Sequence, residues 1–109
     1  MIKAVMVLEG GLLKSCHVSG HAGAGPKGAD IVCAAVSVLV RTACKVLSER
    51  KGITVYSEFP ERGEFSLEIL DMTAENREFL SGTGIFLKEG LVSVSGEYPE
   101  FCRVIIEEN

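Results

Sequence analysis

The chain has 109 residues, 47% of them apolar and 24% charged, with a formal net charge of −4 and four cysteines. That length supports one hydrophobic core, so a single domain over 1–109 is expected, with the composition of a soluble globular protein. The acidic balance gives no support to a nucleic-acid-coating role, which needs a basic stripe, and suits a cationic substrate.

In chain order, residues 2–8 and 12–18 alternate apolar and polar around Gly10-Gly11, which predicts a β-hairpin. The opening Met1-Ile2-Lys3-Ala4 leads into an apolar run too short for a secretion signal, so a cytoplasmic protein is expected. Asp30 reads as the N-cap of a helix over 31–50, with Arg50-Lys51 in its last turn and Gly52 as its stop. The apolar run 31–40 is about half of the ~20 residues that span a bilayer, and Arg41 and Lys45 interrupt it, so no membrane is expected. The apolar positions of this helix, among them Ile31, Val32, Val36, Val38, Leu39, Val40 and Leu47, wrap most of its circumference. Such a helix is buried on more than one side, and a homodimer covering the second side is the reading.

Residues 53–58 and 64–70 form a second hairpin around Pro60-Glu61-Arg62-Gly63. Phe65, Leu67 and Ile69 alternate there with Glu64, Ser66 and Glu68 to give one wet face. Thr73 caps a second helix with the stripe Phe79, Thr83, Phe86, Leu87, Leu91 and Val94; Gly82 and Gly84 weaken it by roughly 1 kcal/mol each and predict a kink or break. Gly96 and Pro99 end that helix, and 101–106 make a last strand. The order β-β-α-β-β-α-β predicts a two-layer α+β domain: a five-stranded, largely antiparallel sheet with two helices on one face.

The chemistry concentrates where strand meets helix. His21 stands just past the second strand, and Cys33 is the third residue of a helix capped by Asp30. Unpaired N–H groups and about half a positive charge at a helix N-terminus favour thiolate over thiol. A nearby imidazole accepts the thiol proton, so Cys33 and His21 have the equipment of a nucleophile and its general base. The same N–H groups offer an oxyanion hole. Gly20, Gly23, Gly25 and Gly28 make the connecting loop easy to move, which predicts a gate that closes over substrate. Asp30 either only caps the helix or also orients His21. Ser37, one turn after Cys33, either hydrogen-bonds the site or serves helix packing.

The remaining candidates carry less. His17 lies on the second strand and is expected at the surface, and Cys44 and Cys102 among apolar neighbours read as reduced core residues. Cys16 and His17 are adjacent on a strand and point to opposite faces, so no metal site is expected. The glycines lack a Gly-Lys-Ser/Thr ending or a dinucleotide fingerprint, and no cofactor is expected.

Gly20-His21-Ala22, the glycine-bearing loop, then Gly28-x-Asp30-Ile31-Val32-Cys33-Ala34-Ala35 together resemble the signature of the ribosomal-processing cysteine protease (Prp) family. The strand pair before it, the long apolar helix after it and Tyr98-Pro99-Glu100 before the last strand extend the likeness over nearly the whole chain. The resemblance implies a cysteine endopeptidase with a Cys33–His21 pair and a serine at position 37. It also implies a homodimer and, as substrate, the N-terminal extension of the twenty-seventh protein of the large ribosomal subunit, removed during ribosome assembly. Two rivals remain. One is a non-catalytic assembly module that binds a ribosomal protein through the glycine-rich loop; the other is a thiol redox or acyl-transfer enzyme, for which Cys16 is the sole nearby resolving thiol.

Overall fold

A computed structural model describes residues 1–20, 29–60 and 63–109, with Ala29 and Asp30 described by their backbone alone. The elements are β1 (Ile2–Glu9), β2 (Leu12–Ser19), α1 (Ala29–Ser48), β3 (Ile53–Glu58), β4 (Phe65–Met72) and α2 (Arg77–Glu97), which a single 3-10 turn (Ala74–Asn76) precedes, and β5 (Cys102–Glu108). One sheet holds all five strands in the order β3-β4-β2-β1-β5, antiparallel except where β5 runs parallel to β1. The expected α+β architecture is therefore the observed one.

Sheet register explains the core. Alternation along each strand sends one set of side chains to the helices, and pairing stacks those sets into rows. Ile106, Met6, Cys16 and Leu67 share one row across β5, β1, β2 and β4, and Val104, Ala4, Val18 and Phe65 share the next. Most of these are fully buried, as are Val32, Val36, Val40 and Leu47 of α1 and Leu80, Leu87 and Leu91 of α2. The opposite face carries Val5, His17, Ser66 and Glu58 in register, with His17 exposed and its Nδ1 2.8 Å from Ser66 Oγ. Gly10 and Gly11 both have positive φ (59° and 80°), as the two-residue hairpin turn between β1 and β2 requires.

Both helices depart from expectation in detail. α1 starts at Ala29, so Asp30 lies inside its first turn and is not its N-cap, and Cys33 is its fifth residue. Alanine is a strong helix former, and a first-turn aspartate is as acceptable to the helix dipole as a capping one, so residue type does not separate the two registers. By length and composition, 18 residues of α1 (Ile31–Ser48, mean hydropathy 1.8) suffice to cross a membrane, although the uninterrupted apolar run is shorter. In the fold one face of this segment covers the sheet, as in the core helix of a globular domain.

α2 runs unbroken through Gly82 and Gly84. Its buried residues are Leu80, Gly84, Leu87 and Leu91; Leu87 and Leu91 belong to the predicted stripe, Phe79 and Val94 of that stripe are partly buried against the core, and Phe86 is 74% exposed. Gly84 faces β2: a Cβ there would come within 3.2 Å of the Leu13 Cβ, so the missing side chain is what lets the helix settle on the strand. Thr73 starts the 3-10 turn without capping it; its Oγ1 accepts instead from Asn76 Nδ2 at 2.8 Å.

Candidate active site

Cys33 differs from the other three cysteines in its surroundings. Cys16 and Cys102 point into the sheet core and Cys44 into the α1 face that covers it, whereas Cys33 is half-buried near the start of α1. All four are free thiols. Burial pushes the Cys16 thiol up to about 12 and raises that of Cys102. Cys16 is fully buried in the sheet core, where a thiol is shielded from attack and disfavoured as thiolate, and this weighs against it as a resolving partner.

The helix start is also corrected in its donors. In an α-helix beginning at Ala29, the Cys33 N–H pairs with the Ala29 carbonyl, so the N–H groups a helix end leaves free lie ahead of Cys33. Ser37 sits one turn on, and its Oγ accepts a hydrogen bond from Arg41 Nε at 3.2 Å. The Arg41 guanidinium lies 4.7 Å from the centre of the Phe59 ring and 5.3 Å from that of Phe65, and the two rings meet edge to face at 5.5 Å. Cys33, Ser37 and Arg41 thus form a row at four-residue spacing along α1, whose far end rests on the β3–β4 hairpin. In the sequence Arg41 stands out only as an interruption of an apolar run; its aromatic partners are contributed from about twenty residues away and no local pattern announces them.

At the other end of the segment, Gly20 closes β2 with φ +94°, and a Cβ there would overlap the Met1 carbonyl oxygen. Gly20 is therefore required by space and backbone angle at the point where the chain leaves the sheet toward His21. His21, Gly23, Gly25 and Gly28 lie outside the described residues, and the Asp30 side chain is likewise outside them. Among the described residues, no group of three or more His, Cys, Asp or Glu is placed to hold a metal ion.

The family model for cysteine protease Prp matches residues 1–103. The chain belongs to the Prp family of cysteine proteases. Solved structures agree with it along its length. SMU.848 from Streptococcus mutans is 27% identical with a TM-score of 0.82, over 100% of this chain and 96% of that one. The ribosomal processing protease Prp of S. aureus, in complex with a substrate peptide, is 18% identical with a TM-score of 0.81, over 98% of this chain and 100% of that one. The same S. aureus protease with a covalently linked product peptide gives a TM-score of 0.79 at 20% identity, over 98% of this chain and 100% of that one. At those identities the S. aureus structures establish the shared fold. Among curated proteins, none matches the sequence significantly. As a Prp-family member this chain is a cysteine protease, and of its four cysteines Cys33 alone is not buried.

Proposed function

We propose that this protease removes the N-terminal extension of the twenty-seventh large-subunit ribosomal protein, with Cys33 as nucleophile and His21 as general base and acid. The observation that carries the assignment is the half-exposed position of Cys33 near the start of α1, while the other three thiols are buried in the core. The S. aureus relative, a ribosomal processing protease that holds a substrate peptide on the same fold, supports a ribosomal peptide as substrate. The net charge of −4 suits a basic ribosomal protein as partner.

In the mechanism, His21 takes the thiol proton and the Cys33 sulfur attacks the scissile carbonyl. N–H groups at the head of α1 stabilise the oxyanion, a kind of interaction worth roughly 3 kcal/mol per well-placed donor. His21 returns the proton to the leaving amine, and water then releases the new carboxylate from the thioester. The loop carrying Gly23, Gly25 and Gly28 closes over the peptide, with Asp30 and Ser37 in supporting positions. The reaction needs no cofactor and takes place in the cytoplasm, where reduced thiols persist.

The test is incubation with the same organism's ribosomal protein, followed by intact mass measurement, beside Cys33→Ala and with iodoacetamide labelling of all four cysteines. One N-terminal truncation, lost in the variant, together with labelling confined to Cys33, is the expected result. Equal labelling of Cys33 and the core cysteines, with an uncut ribosomal protein that still binds, would make the chain an assembly module that uses the same loop.

A further inference from the structure

Arg41 stands exposed on α1, yet its side chain is held from three directions: by the Phe59 ring, the Phe65 ring and the Ser37 hydroxyl. Ordering a surface arginine costs side-chain entropy, and a lone exposed contact returns little of it. Stacked on two rings and charged at every relevant pH, this guanidinium is a fixed cation with a planar fork of donors. Nε is spent on Ser37, while the terminal amino groups have no hydrogen-bond or carboxylate partner among the described residues. The Phe59 ring that supports it is 36% exposed, so cation and ring together make a shelf open to solvent.

Helix and sheet both put this shelf beside Cys33. Positions 33, 37 and 41 are four residues apart, a step that drifts by about 40° around a helix, so they lie along one side of α1. At 1.5 Å per residue Arg41 is about 12 Å from Cys33 along the axis, and its side chain leans back one turn to meet Ser37. In the sheet, Phe65 pairs with Val18, two residues before Gly20, where the chain leaves β2 for His21. The shelf therefore stands at the end of the sheet from which the chain departs toward His21. An extended peptide advances about 3.3 Å per residue. A substrate lying along α1 with its scissile carbonyl at Cys33 thus brings a side chain roughly two to four residues away onto the shelf.

We propose that Arg41 is a specificity-determining residue: with Phe59 it forms a subsite that takes a substrate side chain bearing a carbonyl or carboxylate oxygen and turns away lysine and arginine. The unpartnered amino groups donate to such an oxygen, and the exposed part of the Phe59 ring covers the apolar stem that carries it. A cationic side chain meets a like charge there, a repulsive element that discriminates between substrates. The net charge of −4 draws in a basic ribosomal protein as a whole. The one fixed cation beside the nucleophile then rejects every register that would lay a basic side chain on the shelf. This inference rests on the reading of Cys33 as the nucleophile and is separable from it.

The experiment uses variants of the ribosomal protein with Gln, Glu, Ala or Lys placed in turn at each position up to four residues from the scissile bond, on both sides. Each is cut by wild type, Arg41→Gln and Arg41→Glu, and kcat and KM are measured. At one position wild type is expected to favour Gln and Glu over Lys by about three- to tenfold in kcat/KM, the scale of one charge-assisted hydrogen bond at a half-exposed site. The difference resides in KM, as for a contact made equally in the ground and transition states. Arg41→Gln flattens that preference, and Arg41→Glu reverses it in favour of Lys at the same position and at no other. Iodoacetamide capture at Cys33, which involves no substrate, changes by less than about twofold, because the altered charge lies about a Debye length from the sulfur. Should Arg41→Glu fold poorly, the flattening in Arg41→Gln carries the test. An equal loss on every substrate variant, with slower capture, overturns the inference in favour of plain structural support. No position whose charge preference changes, with Cys33→Ala inert, overturns it and leaves the protease reading intact. Cleavage that survives in Cys33→Ala overturns the nucleophile assignment, and the inference with it.

Discussion

Cys16 shows how one residue's position sets a property of the whole protein. Its side chain lies in the row Ile106-Met6-Cys16-Leu67 and is fully buried, and desolvation lifts its thiol from 9.0 to about 12. The folded-state value is raised, so between pH 9 and 12 the unfolded chain loses a proton that the native state keeps. The native state binds more protons there, and stability must fall as pH rises through that window, by up to about 1.4 kcal/mol per pH unit. Cys102 is shifted in the same direction and by the same cause. Urea midpoints for wild type and Cys16→Ala at about pH 8 and about pH 10.5, below and inside that window, check this. The variant starts lower at the lower pH, because a small cavity opens, but loses less on going to the higher one. Parallel losses in the two proteins would show that Cys16 does not carry the alkaline slope. Individual residues are also where the sequence is most informative about chemistry. Cys33 stands out by spacing and motif, and it is also the one half-buried thiol beside three buried ones. Asp30 misleads because aspartate suits both an N-cap and a first turn, and nothing at that position distinguishes them.

Among the elements, α2 is where local propensity and tertiary contact disagree. Two glycines within three residues lower helix propensity, yet the helix passes through them without a break. They do so in different ways. A Cβ on Gly82 would meet nothing within 4 Å, whereas one on Gly84 would press on the Leu13 Cβ at 3.2 Å. Gly82→Ala should therefore raise stability by about 0.5–1 kcal/mol, the ordinary gain of alanine over glycine in a helix. Gly84→Ala has the same propensity gain but must displace a buried side chain, so it falls short of Gly82→Ala in chemical denaturation. Equal gains would mean that β2 yields freely and that Gly84 does not set the helix–sheet spacing. The strands are legible in the sequence because alternation and the Gly10-Gly11 turn are local signals. The α2 stripe is legible only in part: Leu87 and Leu91 follow the helical period, whereas the burial of Gly84 depends on what a glycine permits across the interface. Asn76 escapes a sequence reading for a similar reason. Only 2% exposed, it donates from Nδ2 to the Lys51 carbonyl and accepts from Arg50 Nε at 2.9 Å, and so fastens the end of α1 to the entry of α2. The residues it joins are some 25 positions apart.

At the scale of the whole molecule, the first helix asks for a partner. Its inward side is saturated by the sheet, yet Ile31 and Val38 are 59% and 63% exposed on its outer side, and Val46 is partly so. Across from them on α2 stand Phe86 and Phe79, and the two helices enclose an open apolar trough of about 630 Å³ along Val38, Thr42, Val46, Gly82, Thr83 and Phe86. Contiguous exposed apolar surface of this kind is unusual on a monomer and is ordinary on a subunit. The homodimer that the helix's composition implies would be expected to bury this outer stripe, which runs the length of α1. Burying Val38 alone removes a side chain worth roughly 1.5–3 kcal/mol from water in each subunit, and a two-fold axis doubles every such contact. Val38→Glu places two like charges in that interface while leaving the core side of the helix untouched. Light scattering should then give a dimer mass for wild type and a monomer mass for Val38→Glu, with the circular dichroism and thermal unfolding of a folded protein in both. If Val38→Glu stays dimeric, the subunits meet elsewhere; the edges of the sheet at β3 and β5 become the surfaces to probe, and the α1 stripe has lost its explanation.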